Sequence, residues 1–428
     1  MTSQIGTMKP RLRLTVVSCL LCVGFACNKG SSSSATDAAL PAGGSGGYLL
    51  GGSGGTGTGG TVSAGGGTLG TGGGIVGTGG STSAGGIGGK AGASGSGGAS
   101  ASSSGGTFNS GGTTGGGGAV DAGTPTFTEF RIPSAACDPG RIAAGPDGNL
   151  WFTEYATNKI GRITPDGVIT EFPVPTPGSE LGGITAGPDG NIWFTELKGN
   201  NIGRITPAGG ITEFPLPTAK MVPYAIVLGP DGNLWFTESG GPNCASGGAI
   251  GNISTAGVIT EFPVPTSPLS HYSCSYPRGI ASTPSGDLWF TDYVGDVIGR
   301  ITTAGTVTQY RIARTFQSGA EGIVAGPDGN LWFTESETGK IGLITTAGSV
   351  TEFDHAASQP SFIVAGPDGN LWFTDYGGNT LGRITTSGVV TKFPTPTPNT
   401  APLGIAVGSD GNIWFTEMGT NSIGRIVP

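Results

Sequence analysis

The chain has 428 residues, a formal net charge of −8 and a pI near 4.8, and 86 of its residues are glycine. Lysine and arginine form no dense run, which argues against nucleic acid or an anionic membrane surface as a partner. The length would allow two or three domains, but the composition divides the chain unevenly.

The N-terminal residues have the pattern of an export signal. Three basic residues precede an apolar run, Leu14 to Ala26, which is too short to span a bilayer and ends at Cys27. A cysteine in this place resembles a bacterial lipoprotein processing site, so we expect residues 1–27 to be a signal peptide and Cys27 to be acylated. An ordinary signal peptide cleaved near Ala26 is the alternative. The protein is therefore expected in the cell envelope, at the outer membrane or cell surface if it is lipidated, and otherwise periplasmic or secreted.

Residues 28–125 consist almost wholly of glycine, serine, threonine and alanine. Such a segment cannot bury enough apolar surface to offset the conformational entropy that it would lose on ordering. We therefore expect a disordered tether that joins the processing site to a folded domain at 126–428. The membrane would then be contacted through the lipid anchor only.

The folded domain repeats one unit seven times. Its clearest copy, from Gly145 to Pro173, reads GPDGNLWFTEYATNKIGRITPDGVITEFP. The seven tryptophans of the chain occupy one position of this unit, at Trp151, Trp193, Trp235, Trp289, Trp332, Trp372 and Trp414. Their spacings of 42, 42, 54, 43, 40 and 42 residues, with four short alternating runs per unit, predict an all-β fold. The fold expected is a seven-bladed β-propeller with four antiparallel strands in each blade.

Turn sequences suggest how the outer strands of a blade pair. Asp-Gly between two apolar runs is a hairpin signal, because glycine accepts the positive φ that such turns require. A two-residue turn would place Arg162 opposite Glu171, and the same count places Arg204 opposite Glu213. We therefore expect cross-strand ion pairs at these positions.

The two ends of the repeat region are complementary. The last unit stops after residues 423–428 without a fourth strand, and an unpaired fourth-strand sequence stands at 127–132. We predict that residues 127–132 pair beside residues 423–426 and complete the C-terminal blade. This pairing would close the ring and remove an exposed sheet edge.

The longest spacing between tryptophans contains two six-residue insertions, and each carries a cysteine. Cys244 and Cys274 lie in loop types that emerge on the same face of a propeller, in one blade and its successor. We therefore predict a Cys244–Cys274 disulfide, with two free thiols as the alternative. Cys137 is then unpaired, and its role is not indicated. Three cysteines and two histidines without ligand spacing do not predict a zinc site.

Function is expected where the copies differ, since a repeated residue serves the scaffold. The residue two before the first-strand isoleucine and the residue four after each tryptophan both vary. We expect these two rings to form a ligand-facing mouth for a cyclic, peptidic or sugar-like ligand, although idle variation is the alternative. The candidate ligand-binding residues are Tyr155, Tyr224, Arg278, Tyr293, Glu321, Ser361 and Tyr376.

Acidic residues form a third, nearly invariant ring after each Trp-Phe-Thr. Their regularity favours hydrogen bonding to loops over metal binding. The members of this acidic ring are Glu154, Glu196, Glu238, Asp292, Glu335, Asp375 and Glu417.

The unit GPDGNLWFTE, continued by NKIGRITPDGVITEFPVPTP, resembles the virginiamycin B lyases (streptogramin B lyases) over residues 127–428. The resemblance implies a seven-bladed propeller that opens a cyclic depsipeptide antibiotic by magnesium-assisted elimination. It also implies a histidine at the start of each of the last two blades and a glutamate before the second one. Those positions hold Ser361, Leu403 and Ala401 here. A second metal-binding carboxylate of the family falls near Glu417 or Met418, and only Glu417 could bind Mg²⁺.

The two histidines of the chain are His271 and His355. His355 precedes the sixth blade and is the candidate replacement base, whereas no role is expected for His271. Serine and leucine cannot replace an imidazole as a base near pH 7. The sequence therefore favours a monomeric module that binds an unknown small molecule, peptide or cell-surface ligand. The alternatives are a Mg²⁺-dependent carbon–oxygen lyase acting on streptogramin B-type depsipeptides and a surface protein without a ligand.

Overall fold

The computed structural model describes residues 125–240, 247–266, 274–312, 317–354 and 357–428. The predictions for residues 1–124, including Cys27, and those for Cys244, His271 and His355 lie outside the described residues. The part of the chain that is described contains β-strands and no helix. Accordingly, no helix in it has the length and apolar character needed to cross a membrane.

Strands succeed one another along the described chain, joined by short turns. The first fourteen are β1 (Thr126–Arg131), β2 (Pro139–Ala144), β3 (Leu150–Glu154), β4 (Lys159–Ile163), β5 (Ile169–Pro173), β6 (Leu181–Ala186), β7 (Ile192–Glu196), β8 (Asn201–Ile205), β9 (Ile211–Pro215), β10 (Val222–Leu228), β11 (Leu234–Ser239), β12 (Gly248–Ile253), β13 (Ile259–Val264) and β14 (Pro277–Ser282). The remaining strands are β15 (Asp287–Asp292), β16 (Val297–Thr302), β17 (Val307–Arg311), β18 (Ala320–Ala325), β19 (Leu331–Glu335), β20 (Lys340–Ile344), β21 (Val350–Asp354), β22 (Pro360–Ala365), β23 (Leu371–Asp375), β24 (Thr380–Ile384), β25 (Val390–Pro394), β26 (Pro402–Val407), β27 (Ile413–Glu417) and β28 (Ser422–Val427).

These strands form seven four-stranded antiparallel sheets, which confirms the predicted propeller. Six sheets use four consecutive strands, beginning with β2–β5. The seventh has the order β1-β28-β27-β26, in which Phe127 lies opposite Ile426 and Phe130 opposite Ile423. The innermost strands contact one another in succession, and β26 contacts β2, so the ring is closed. The closing strand was therefore predicted correctly to within one residue.

The second strand of each blade is buried on both faces, because neighbouring blades cover it. Trp151 of β3 stacks on Phe172 of β5 with ring centroids 5.6 Å apart, and its Nε1 donates a hydrogen bond to Asp147 at 3.0 Å. The tryptophan side chains therefore fix both the outer strand and the preceding turn. The same aspartate bond recurs at Trp193, Trp235, Trp332, Trp372 and Trp414.

The predicted cross-strand ion pairs of the outer hairpins are wrong by one residue. Arg162 lies opposite Thr170, and Glu171 lies opposite Gly161. The reason is the turn, which is longer than two residues and includes Gly167 at a φ of 90°. A turn with one extra residue shifts every pair beyond it.

The arginines of these hairpins have other partners. Arg162 packs over Trp151, with its central carbon 5.5 Å from the ring centroid, and donates to the carbonyl of Pro207 in the next blade. Arg204 lies opposite Thr212 rather than Glu213 and pairs with Asp189 at 3.8 Å. These arginines therefore join turns to the blade core and to the neighbouring blade.

A ring of threonines connects each blade to the next. The hydroxyl of Thr416 on β27 donates to the carbonyl of Gly140 on β2 at 2.7 Å and accepts from the N–H of Gly404 at 2.8 Å. The equivalent hydroxyls and acceptors are Thr153 and Gly182, Thr195 and Tyr224, Thr237 and Arg278, Thr291 and Glu321, Thr334 and Ser361, and Thr374 and Leu403. The threonines thereby fix the backbone of the innermost strands.

Candidate functional site

Each innermost strand has a β-bulge just before the isoleucine that recurs in the first strand of every repeat. In β2 the pairing with β3 shifts between Pro139 and Ile142, so that Gly140 and Arg141 together oppose Thr153. A bulge interrupts the alternation of side chains between the two faces of a strand. Two consecutive residues of each inner strand can therefore contribute to the centre of the ring.

The second of these bulge residues is small in five blades. A Cβ on Gly404 would lie 2.5 Å from the carbonyl oxygen of Gly140, and a Cβ on Gly183 would lie 2.8 Å from the Cα of Ala225. Neighbouring inner strands approach too closely there for an ordinary side chain. Arg141 and Phe362 are the two large residues at this position. The sequence prediction used the position one residue earlier and missed both.

Arg141 reaches strands on either side of its own neighbours. Its central guanidinium carbon lies 3.2 Å from the ring centroid of Phe362 on β22 and 4.8 Å from that of Tyr224 on β10. The intervening strands β26 and β6 carry Gly404 and Gly183 at the equivalent position. The absence of side chains at these two glycines leaves room for the arginine to span the centre of the ring.

A second guanidinium lies against the same tyrosine. The central carbon of Arg278 is 4.2 Å from the ring centroid of Tyr224 and 4.8 Å from that of Tyr293. The Tyr224 hydroxyl donates to Glu321 Oε1 at 3.0 Å, and the Tyr293 hydroxyl donates to Glu337 at 2.6 Å. We use the name channel cluster for Arg141, Tyr224, Arg278, Tyr293, Glu321 and Phe362.

The channel cluster contains two guanidinium groups and one carboxylate. Arg141 Nη1 and Arg278 Nε are buried without a hydrogen-bond partner among the described residues, although both guanidinium groups interact with the Tyr224 hydroxyl and with Glu321. Burial lowers the pKa of Arg141 below its ordinary value, although Tyr224 and Glu321 oppose this change. Burial also acts to lower the pKa of Arg278, but Tyr224, Glu321 and Tyr293 raise it above its ordinary value.

The structure joins four of the seven predicted ligand-binding residues in the channel cluster: Tyr224, Arg278, Tyr293 and Glu321. Tyr155 lies beside Glu180, and burial followed by this carboxylate raises its pKa. Ser361 is 3% exposed, with its hydroxyl 3.5 Å from the carbonyl of Gln359. The backbone N–H of Tyr376 donates to the same carbonyl at 3.0 Å.

Side chains of the acidic ring are all buried; six of them accept hydrogen bonds, mostly from loop atoms as expected, and Glu238 has no partner among the described residues. Glu154 accepts a hydrogen bond from Thr157 at 2.5 Å, and Asp292 accepts one from Ser275 at 2.6 Å. Burial is the main cause of their altered ionisation. It raises the pKa of Glu154, Glu196 and Glu417 to about 7 and that of Glu238 to about 8.

The residues at the implied magnesium site do not fit the ion. Glu417 is completely buried, and Thr420 donates to it at 3.2 Å, as Thr157 does to Glu154. Ser361, Leu403 and Ala401 supply neither a carboxylate nor an imidazole. Across the described ranges, no group of three histidine, cysteine, aspartate or glutamate side chains could hold a metal ion. Mg²⁺ requires several oxygen ligands in near-octahedral geometry.

Cys137, the free cysteine of the described residues, is completely buried. Burial, followed by the nearby carboxylates of Glu154, Glu171 and Asp138, raises the pKa of its thiol. Cys274 is also buried. Because Cys244 lies outside the described residues, the predicted Cys244–Cys274 disulfide stays a prediction.

The comparisons with known proteins agree on one family. The virginiamycin B lyase family model matches residues 113–314 and 268–428. Virginiamycin B lyase from Staphylococcus aureus is 37% identical and superimposes with a TM-score of 0.65, covering 71% of this chain and 99% of the enzyme. A streptogramin B lyase structure is 36% identical, with a TM-score of 0.65 over 71% of this chain and 98% of that one.

A third similar structure is a catalytically inactive histidine-to-alanine variant of the Staphylococcus aureus enzyme with quinupristin. It is 37% identical, with a TM-score of 0.64 over 71% of this chain and 99% of that one. Among curated proteins, no sequence matches this chain significantly. The family model and the solved lyases cover the propeller from its first strand to its last. The chain therefore belongs to the virginiamycin B lyase family.

Proposed function

We propose that this protein is a ligand-binding propeller that retains the lyase scaffold without the lyase chemistry. The observation that carries the proposal is the replacement of the two family histidine positions by Ser361 and Leu403. Elimination from an ester needs a base for the proton α to the carbonyl and a group that stabilises the enolate. Neither side chain can take that proton near pH 7.

The relatives support a separation of binding from chemistry. A histidine-to-alanine variant of the Staphylococcus aureus enzyme is catalytically inactive and is solved with quinupristin. A member of the family can therefore lack catalytic activity and still have a structure with quinupristin. In this chain the ligand would meet the channel cluster, where three aromatic rings and two guanidinium groups lie together.

The proposal is tested by incubating the purified protein with quinupristin and Mg²⁺ beside the Staphylococcus aureus enzyme. Ring opening by elimination leaves the mass unchanged, so chromatographic retention and fragment ions must be followed. Hydrolysis would add the mass of one water. We expect no ring opening beyond the rate in buffer. Linearisation of quinupristin by this protein would overturn the proposal.

The second candidate function is a lyase in which His355 replaces the missing base, with Mg²⁺ as cofactor. It is favoured by the sequence identity of 37% to an active family member. The discriminating variant is His355→Ala, with His271→Ala as its matched control. Ring opening that disappears only in His355→Ala would establish this candidate in place of the binding module.

We also propose that the propeller is exported as a monomer and tethered to the cell envelope by an acylated Cys27. The support is the basic and apolar N-terminal pattern followed by the Gly/Ser/Thr-rich segment. Metabolic labelling with a fatty-acid analogue should modify the protein but not Cys27→Ser. An unlabelled protein that is recovered in the soluble fraction would support cleavage near Ala26 instead.

A further inference from the structure

We propose that the channel cluster binds one carboxylate group of a small monoanionic ligand, with Arg141 and Arg278 as the hydrogen-bond donors. This inference rests on the proposed binding function and names the chemical class of its ligand. The site is not part of the repeated scaffold, because Arg141 and Phe362 stand at a repeat position that is glycine or alanine in the other five blades.

The packing of the two arginines leaves at least one N–H group of each guanidinium available to a ligand. Arg141 is covered by the rings of Phe362 and Tyr224, and Arg278 is covered by those of Tyr224 and Tyr293. An aromatic ring interacts with the face of a guanidinium, whereas the five N–H donors lie in its plane and point outward. The rings therefore cover both groups while Arg141 Nη1 and Arg278 Nε keep no hydrogen-bond partner among the described residues.

Both guanidinium groups lie against the ring of Tyr224. Their central carbons are 4.8 Å and 4.2 Å from the same Tyr224 centroid, so they are at most about 9 Å apart. A carboxylate has two oxygens and about four lone-pair sites, and it accepts from two guanidinium groups at once in ordinary hydrogen-bond geometry. The rings of Phe362 and Tyr293 would then flank an apolar or aromatic part of the ligand.

The charge balance selects a monoanion. Within the channel cluster two guanidinium groups outnumber the one carboxylate, Glu321, which accepts a hydrogen bond from the Tyr224 hydroxyl; the next carboxylate, Glu337, is held by the Tyr293 hydroxyl. Arg141 and Arg278 share Glu321 as their acidic neighbour, which leaves an excess of one positive charge among the members of the channel cluster. An uncompensated charge in a partly buried site is costly, and a single carboxylate would neutralise it. A dianionic phosphate would exceed this balance and meet repulsion from Glu321.

The test uses isothermal titration calorimetry of the purified protein with three probes. They are N-acetyl-L-phenylalanine, its uncharged amide of nearly equal shape, and phenyl phosphate. We expect the carboxylate to bind at least tenfold more tightly than the amide and more tightly than the phosphate at pH 8. Benzoate, titrated as a smaller carboxylate, should compete with N-acetyl-L-phenylalanine for the same site.

Substitutions assign the binding to the two arginines. Arg141→Met and Arg278→Met should each weaken carboxylate binding tenfold or more while leaving the weak binding of the amide unchanged. Arg131→Met removes the same charge from an exposed position on β1 and should have no effect. Arg141→Lys and Arg278→Lys keep the charge and lose the planar donor set, so they serve where a methionine variant fails to fold. They should show an intermediate loss.

Carboxylates that bind no better than the amide, up to their solubility, would overturn the inference, as would binding unchanged in both methionine variants. Tighter binding of phenyl phosphate would overturn the choice of a monoanion. These results are independent of the quinupristin assay. A protein that binds no carboxylate and opens no ring loses only this inference, whereas one that opens quinupristin loses the proposed function.

Discussion

Asn421 Oδ1, in the turn before the last strand, accepts a hydrogen bond of 2.7 Å from the backbone N–H of Cys137, which belongs to the loop after the first strand. The amide nitrogen of Asn421 donates to the carbonyl of Ser134 at 2.5 Å. One side chain therefore satisfies backbone groups of a loop that is 284 residues away in sequence. This contact reinforces the pairing of β1 with β28.

Equivalent asparagines bridge neighbouring blades elsewhere in the ring. Asn158 accepts from the N–H of Ser179 at 2.9 Å, and Asn379 accepts from that of Ala401 at 2.9 Å. Asn158, Asn379 and Asn421 have φ values of 58°, 52° and 58°. Asparagine is among the few residues other than glycine that adopt this left-handed conformation readily.

Asn421→Ala should lower the free energy of unfolding by about 1–3 kcal/mol, because buried backbone groups lose their partners. Chemical denaturation measures the change. Asn158→Ala is the matched control, since its bridge does not join the chain ends. Hydrogen exchange should accelerate at β1 and β28 in the Asn421 variant only. Equal exchange at β1 in both variants would contradict a special role for Asn421 in closure.

The stability of the propeller should fall as the pH rises from 5 to 8. Burial raises the pKa of Glu154, Glu196 and Glu417 from 4.5 to about 7 and that of Glu238 to about 8. The folded state therefore binds more protons than the unfolded state between these values, and the free energy of unfolding decreases as the pH increases through this window. Each group contributes a loss of up to about 3 kcal/mol. Urea denaturation at pH 5, 6, 7 and 8 measures it.

Glu238 gives the sharpest test of this pH dependence, because neither of its carboxylate oxygens has a partner among the described residues. Glu238→Gln should flatten the curve, with little change at pH 5 and greater stability than the unsubstituted protein at pH 8. Asp166→Asn, at an exposed turn, should leave the slope unchanged. A Glu238→Gln variant with the original slope would show that this carboxyl is not the titrating group.

Restoring the repeat at the fourth blade should stabilise the protein. Ser285 stands where six other units have the aspartate that accepts from tryptophan, and Asp287 pairs with Arg300 at 2.6 Å instead. The double variant Ser285→Asp, Asp287→Asn would give Trp289 its hydrogen bond and leave Arg300 an aspartate in the position that Asp189 has beside Arg204. We expect a gain of about 1 kcal/mol.

Calorimetric unfolding measures the effect of this repair. The single variant Ser285→Asp is the control, and it should gain less, because it places two carboxylates two residues apart in one turn. A double variant that is less stable than the unsubstituted protein would mean that the Asp287–Arg300 pair contributes more than the restored tryptophan bond.

Thiol chemistry should distinguish the cysteines of the propeller. Burial raises the pKa of Cys137 and excludes reagents, so this thiol should not react with a disulfide reagent until the protein unfolds. Peptide mapping without reduction should recover Cys244 and Cys274 in one linked pair. Recovery of both as free thiols would establish the alternative that the sequence left open.

The repeat alone predicted the blades, because the tryptophan, the isoleucines and the turns that contain aspartate recur at nearly fixed spacings in every unit. It did not predict the hairpin pairing of Arg162. An Asp-Gly turn of two residues and one of greater length look alike in sequence, and one extra residue moves each partner by one place.

The channel cluster was predicted only in part, for a related reason. The predicted mouth uses the position two residues before the first-strand isoleucine, which is Gly140 in β2. Strict alternation of side chains along a strand would point its neighbour Arg141 away from the centre. The bulge opposite Thr153 removes that restriction. The signal was nevertheless present, because Arg141 and Phe362 stand where the other units have glycine or alanine. Contacts across the ring, such as Arg141 with Tyr224, follow only from the closed geometry.

The pairing of β1 with β28 also sets the order in which the molecule can be completed. The blade that contains both strands needs the first and the last strands of the propeller, so it cannot form before β28 has been synthesised. Until then β1 has no partner strand, and the blades already made form an open arc. The ring therefore cannot close while its C-terminal strand is still being made.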